Sequence, residues 1–210
     1  MIVKTITGGP FAENCYIVAS EQTKTGVVID PGSEIDTIIY IIESMSIRIK
    51  SILCTHGHID HTAGVKELQN HLQVPFFMHK EDMSFLKEIP ERAGMFGLKT
   101  EGIPTVDGLL NDGDAIECGN SSLKVIHTPG HTPGGVCLLS ERELFSGDSL
   151  FAGSIGRTDL PGGNYSQLIY SIKTKLLVLD ENLIVYCGHG GTTTIGNEKL
   201  NNPFLQESDI

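Results

Sequence analysis

The stretch that most constrains this chain is Thr55-His56-Gly57-His58-Ile59-Asp60-His61, where three imidazoles and a carboxylate fall within six residues. Ser51 to Cys54 before it reads as a short buried strand, and Ala63 to Gln69 after it as a helix. The cluster therefore belongs in a strand-to-helix loop, with Asp60 near the position where an Asp caps a helix. Loops at strand ends are where α/β proteins place their chemistry. Imidazole is the commonest metal ligand, and carboxylate is the usual oxygen partner of a divalent cation. In an extended loop His56 and His58, two apart, point the same way and can share one ion. Asp60 and His61 come as the chain turns into the helix, so they suit a second ion a few Å away. Two cations at roughly 3.5–4 Å can clamp a hydroxide and stabilise charge developing on a substrate oxygen.

The rest of the composition narrows the setting for that chemistry. At 210 residues the chain reads as a single domain over 1–210, long enough to bury a proper core. A formal charge of −11 with no basic stripe argues against a nucleic-acid surface. It also requires local cations to hold any anionic small substrate. No apolar run approaches membrane-span length, and no basic stretch leads into an apolar one at the start, so the expected setting is cytoplasmic. Cys15, Cys54, Cys118, Cys137 and Cys187 are odd in number and lie in apolar runs, which suits buried reduced thiols.

In chain order, strands are expected at 2–6, 14–18 and 27–29, then a helix from about 34 to 46 with Ser33 as its cap and Ile35, Ile38, Ile39, Ile42 and Met45 on one face. After the His-rich loop and its helix come a strand at 74–78 and a short helix at 81–87. From 89 to 110 periodicity fades among Pro90, Gly94, Gly97, Gly102, Pro104 and Gly108, which reads as a lid or substrate loop. Strands resume at 114–118, 122–126, 135–139 and 143–145, a helix spans about 165–177, and a last buried strand covers 185–187. Thr128-Pro129-Gly130-His131-Thr132-Pro133-Gly134 is a rigid turn. Four strand ends thus deliver His or Asp: His56 to His61, His131, Asp148 and His189. Strands rich in β-branched residues with interspersed helices point to a layered α/β sandwich with its site along one edge.

These four elements, in this order, resemble the metallo-β-lactamase superfamily: T-H-x-H-x-D-H, His131 within T-P-G-H-T-P-G, Gly147-Asp148 and Gly188-His189. The resemblance implies an αββα four-layer sandwich with two divalent ions, zinc foremost and iron or manganese as alternatives. It implies a first ion on His56, His58 and His131, a second on Asp60, His61 and His189, and Asp148 bridging them. Within the superfamily, Gly147 to Phe151, Gly156 to Asp159 and Tyr186 to His189 are similar to glyoxalase II, the hydroxyacylglutathione hydrolases. That group carries a C-terminal helical domain and glutathione-contacting tyrosines. Here the chain runs only to Ile210 after His189, and Asp159 and Gly191 stand where the tyrosines are expected. Arg157 stands where the group places a basic residue. The chain therefore resembles the short, single-domain members.

The implied activity is hydrolysis of a small acyl thioester such as S-lactoylglutathione. A hydroxide held between the cations attacks the acyl carbonyl, Asp60 orients it, and a thiolate of pKa roughly 8.5 leaves without a general acid. Arg157 is the candidate for a substrate carboxylate, against a surface salt bridge. Asp30 and His127 read as supporting groups behind the ligands. The leading rival is a mononuclear iron persulfide dioxygenase of the same fold, using the equivalents of His56, His58 and His131, with Asp148 as a further candidate ligand. A true β-lactamase is disfavoured by the expected lack of export and by His61. A metal-binding scaffold or sensor is the non-enzyme alternative, against which open coordination positions argue.

Overall fold

The computed structural model describes residues 1–206 of the chain; residues 207–210 of the expected 1–210 span lie outside the described residues. The first sheet has the order β1 (Ile2–Gly8), β2 (Glu13–Ala19), β3 (Thr25–Ile29), β4 (Arg48–Leu53), β5 (Phe76–Met78) and β6 (Gly108–Leu109). β1 to β3 are antiparallel, and β3 to β6 run parallel. The helices α1 (Ile35–Ser44), α2 (Ile59–Thr62), α3 (Val65–Leu72) and α4 (Ile89–Phe96) supply its crossovers.

The second sheet contains β7 (Ala115–Cys118), β8 (Ser121–His127), β9 (Val136–Leu139) and β10 (Glu143–Gly147). After a small hairpin of β11 (Leu150–Phe151) with β12 (Ser154–Ile155), it is completed by β13 (Ile184–Cys187) and β14 (Thr193–Thr194), in the order β14-β13-β10-β9-β8-β7. Its outer face carries α5 (Tyr165–Ser171), a π-helical turn at Ile172–Leu176, α6 (Ile195–Asn201) and α7 (Pro203–Gln206).

Strand alternation builds the layers. In β2, Cys15, Ile17 and Ala19 face a cluster with Ile35, Ile38 and Ile42 of α1, Val65 and Leu68 of α3 and Ile89 of α4. Tyr16 and Val18 point the other way and meet Leu123 and Val125 of β8 and Phe145 of β10 between the sheets. In β10, Leu144 instead faces Leu168, Ile172 and Ile195 of the outer helices. The result is the expected αββα sandwich. All five cysteines are free and buried, and Cys187 lies in the outer-helix layer, turned away from the His-rich edge. No helix among the described residues is long and apolar enough to cross a membrane.

Some local expectations are corrected. Ser33 does not cap α1: Glu34 holds the cap position in left-handed backbone, φ 55°, with no side-chain cap. Asp60 does not cap a helix either. It lies inside the first turn of α2, with extended His58 at the cap position, and its carboxylate is turned toward His189. The stretch from 89 to 110 is not irregular throughout. It begins with α4, whose Pro90 fits the first turn, where a missing N–H costs nothing. Val106 packs on the core, and β6 closes the sheet edge against β5.

Between the sheets, the Phe145 ring stacks on Tyr186 at 5.1 Å and meets Tyr16 at 5.3 Å. Phe145→Ala is expected to cost about 3–5 kcal/mol, read as a shift of the urea midpoint. A shift worth under about 1 kcal/mol would contradict the sheet-to-sheet packing described here.

Candidate metal centre

Strand direction explains why distant residues meet. β8 and β9 are antiparallel, β9 and β10 are antiparallel, and β10 and β13 are parallel. β8, β10 and β13 therefore run in one sense, and the residues after their C-terminal ends, His131, Asp148 and His189, emerge at one edge. β4 delivers His56 to His61 to the same edge from the other sheet. Val136 N–H donates to Thr55 O at 2.8 Å, joining the two sheets beside the cluster.

All seven expected ligand residues are brought together. The rings of His56, His58 and His131 stand 4.6 to 4.8 Å apart, centroid to centroid, as one trio. Asp60, His61 and His189 form a second: Asp60 Oδ2 lies 3.2 Å from His189 Nε2 and 3.8 Å from His61 Nε2. Asp148 stands between them. Its Oδ1 is 3.4 Å from His61 Nε2, and its Oδ2 is 3.5 Å from both His131 Nε2 and His189 Nε2.

The groups behind the rings fix which nitrogen faces inward. A carbonyl can only accept, so His131 Nδ1–H donates to Arg157 O at 2.7 Å and His189 Nδ1–H donates to Phe11 O at 3.1 Å. Thr55 Oγ1–H donates to Asp30 Oδ2 at 2.7 Å, which leaves the hydroxyl oxygen to accept from His56 Nδ1–H at 3.1 Å. His61 Nδ1 faces Asp30 Oδ2 at 3.1 Å. Each of these rings thus turns its Nε2 toward the cluster. His61 Nε2 and His189 Nε2 lie 3.4 Å apart, a repulsive approach unless something positive lies between them.

Among the described residues, buried His56 Nε2, His131 Nε2 and Asp148 Oδ1 have no hydrogen-bond partner. Orphaned buried polar atoms demand an explanation, and convergent nitrogen and carboxylate donors match what a divalent cation needs. Burial, reinforced by the neighbouring rings, pushes His56 well below the usual histidine range and His58 down to about 3. Both rings are therefore neutral at neutral pH and have no proton to give up before ligating. Burial opposes charge on His61 and His189 too, but the surrounding carboxylates win and raise both. Burial would likewise raise Asp60 and Asp148, but the imidazoles, His61 foremost, hold both below the usual carboxylate range. That half of the cluster favours positive charge.

Comparison with known proteins agrees with this geometry. The metallo-beta-lactamase superfamily model matches residues 8–189. The chain belongs to the metallo-beta-lactamase superfamily. With that membership comes a metal-binding, hydrolytic architecture. The chain is 39% identical over 214 residues to the hydroxyacylglutathione hydrolase GloC of Haemophilus influenzae, covering 98% of both chains. Among solved structures it resembles the BLEG-1 B3 metallo-beta-lactamase, with a TM-score of 0.90 and 36% identity over 98% of this chain and 100% of that one. It also resembles TTHA1623 in a di-iron-bound form, with a TM-score of 0.86 and 36% identity over 97% of this chain and 100% of that one.

This superfamily centre leans on residues that a reading of the sequence passes over. Asp82, fully buried, accepts from Gly57 N at 2.9 Å, Thr132 Oγ1 at 2.7 Å and Gly134 N at 2.6 Å. It ties the loop of His56 and His58 to the loop of His131. Burial raises its carboxyl, and those three donors partly offset this. Asn14 donates from Nδ2 to Cys187 O at 3.0 Å and Gly190 O at 2.9 Å, and Tyr16 donates from its hydroxyl to Cys187 O at 2.5 Å. Both fix the strand end that carries His189. Glu13 is buried beside His61, and burial pushes its carboxyl well above the usual range. Gly188 is required for close approach: a Cβ there would come within 2.1 Å of Asp148 Oδ1.

Asp30 has the supporting position expected of it, accepting from Thr55 N as well at 2.7 Å. His127 stacks on His79 at 4.2 Å and donates from Nε2 to Pro133 O at 2.9 Å, bracing the His131 turn. The Arg157 guanidinium is exposed and pairs in two-pronged fashion with Asp159 at 2.8 and 2.7 Å. Its backbone carbonyl, rather than its side chain, holds His131.

Asp82→Ala is expected to lower stability by about 3 kcal/mol, because three buried donors lose their acceptor. Zinc retained after gel filtration should fall in parallel. Unchanged unfolding and metal content would show that the two loops do not depend on this brace.

Proposed function

We propose that this chain is a metal-dependent thioester hydrolase acting on S-lactoylglutathione or a kindred small acyl thioester. The observation that carries the reading is the pair of trios, each with Nε2 atoms turned inward, with Asp148 within 3.5 Å of both. His56, His58 and His131 would hold one divalent ion and Asp60, His61 and His189 the other, with Asp148 shared. Zinc suits the donors, and the di-iron form of TTHA1623 keeps iron in play. When bound, such a pair supplies a water of lowered pKa and a Lewis acid for the acyl oxygen.

The chain's own residues supply orientation and charge. Asp60 is held as a carboxylate beside His61 and His189, so its free lone pairs accept from an attacking water and aim it. Asp148 fixes the spacing of the trios. Thiolate departure needs no proton donor at neutral pH. Arg157, if released from Asp159, offers a two-pronged partner for a substrate carboxylate. The segment from 89 to 110 is proposed as the substrate loop. Its Phe96 packs edge-on against Phe11 at 5.1 Å, and Phe11 in turn holds His189 through its carbonyl.

The full-length similarity to GloC supports a glutathione thioester. The rival dioxygenase needs only one trio, and the close assembly of the second favours hydrolysis. The test is thiol release from S-lactoylglutathione by zinc-loaded protein, set beside oxygen uptake with glutathione persulfide and hydrolysis of a chromogenic β-lactam. Release of thiol alone is the expected result. Oxygen uptake alone, or β-lactam opening alone, would overturn the reading. His58→Ala should lose one bound ion and at least about 100-fold in turnover; full turnover would sink the ligand assignment. Arg157→Ala should raise KM for the glutathione thioester about fivefold to tenfold with kcat nearly unchanged. An unchanged KM would remove Arg157 from the substrate site.

A further inference from the structure

Glu13 begins β2 and is 2% exposed, yet neither carboxylate oxygen has a hydrogen-bond partner among the described residues. A buried carboxylate without partners destabilises the fold that holds it. The backbone fixes its place: Glu13 pairs with Gly8 of β1 and forms a bridge with His189. Its Oε1 lies 3.7 Å from His61 Nδ1, another buried atom without a hydrogen-bond partner. Asp30 approaches the same nitrogen at 3.1 Å, but both of its oxygens already serve Thr55. Glu13 has no such duty.

On the opposite side of the ring, His61 Nε2 faces Asp60, Asp148 and His189. A cation taken on Nε2 obliges Nδ1 to keep the ring proton and makes that N–H a stronger donor. The side chain of Glu13 therefore stands behind one member of the second trio, and its backbone is paired to another. It touches no member of the first.

We propose that Glu13 is a positioning residue for the second cation. It receives the His61 Nδ1–H, aligns Nε2 on the Asp60–His189 pair, and makes the second site bind more tightly than its own donors would. The proposal rests on the two-trio reading of the centre, though not on the identity of the substrate.

The test is Zn²⁺ titration of metal-free wild type and Glu13→Gln against a chromophoric chelator, with thermal unfolding of both metal-free proteins. Wild type should take up two ions. Glu13→Gln should keep one site at wild-type affinity and weaken the other by about 10- to 100-fold. Its metal-free form should melt close to the wild-type temperature, because one unpaired buried polar group replaces another of the same size, while the rise on adding zinc shrinks. Glu13→Asp, which keeps the charge at shorter reach, should fall between the two and serves if the Gln variant does not fold. Wild-type affinity at both sites of Glu13→Gln would overturn the proposal. So would a metal-free form that melts lower with both sites weakened equally, the mark of a merely structural residue. A third zinc in wild type, lost in Glu13→Gln, would make Glu13 a ligand and also overturn it. Fewer than two ions in wild type would bring down the two-trio reading and this proposal together. Two ions with no thioester hydrolysis would leave the proposal standing and remove only the substrate.

Discussion

Everything at the functional edge depends on confining five imidazoles and two carboxylates where water is scarce. Burial penalises charge in such a cluster, and His61 Nε2 and His189 Nε2 are crowded to 3.4 Å. The fold tolerates this because four of the five rings have a polar partner behind them. Arg157 O, Phe11 O and Thr55 Oγ1 accept from His131, His189 and His56, and Asp30 faces His61. The three hydrogen bonds fix the ring orientation of His131, His189 and His56 and turn their Nε2 atoms inward. What they leave is a concentration of electron pairs that cations satisfy and protein atoms do not.

The two-sheet architecture makes such an assembly possible without a long loop. Two sheets packed face to face present strand ends along one edge. Antiparallel β8, β9 and β10 followed by parallel β13 ensure that three of those ends point the same way. The cores on either side hold the sheets rigid, while Asp82, Asn14 and Tyr16 stitch the loops across the seam. The site is thus as stiff as the sandwich, which suits the proposed chemistry on two ions held at a fixed spacing.

Much of this was legible in the sequence, because ligands cluster in short motifs and strands show their own period. His56 to His61 announced the site by spacing alone, and the Gly-Asp and Gly-His pairs marked two further strand ends. The supporting residues were not legible, because their partners are remote: Asp82 bonds residues 25 and 52 positions away, and Asn14 bonds one 173 positions away. Nothing near them in the chain signals such partners. Glu13 lies just before the strand expected at 14–18, and nothing around it in the chain signals its bridge to His189. Helix α4 was hidden for another reason. Pro90 and Gly94 resemble breakers, although Pro90 occupies the first turn and the helix is held by burial of Ile89 and Ala93.

The proposed chemistry stands on two cations sharing Asp148. Anomalous diffraction from zinc-soaked crystals, recorded on both sides of the metal absorption edge, tests it most directly. The expected result is two peaks about 3.5–4 Å apart, one among His56, His58 and His131 and the other among Asp60, His61 and His189, with Asp148 reaching both. A single fully occupied peak at saturating metal, or two peaks of which Asp148 contacts only one, would contradict it.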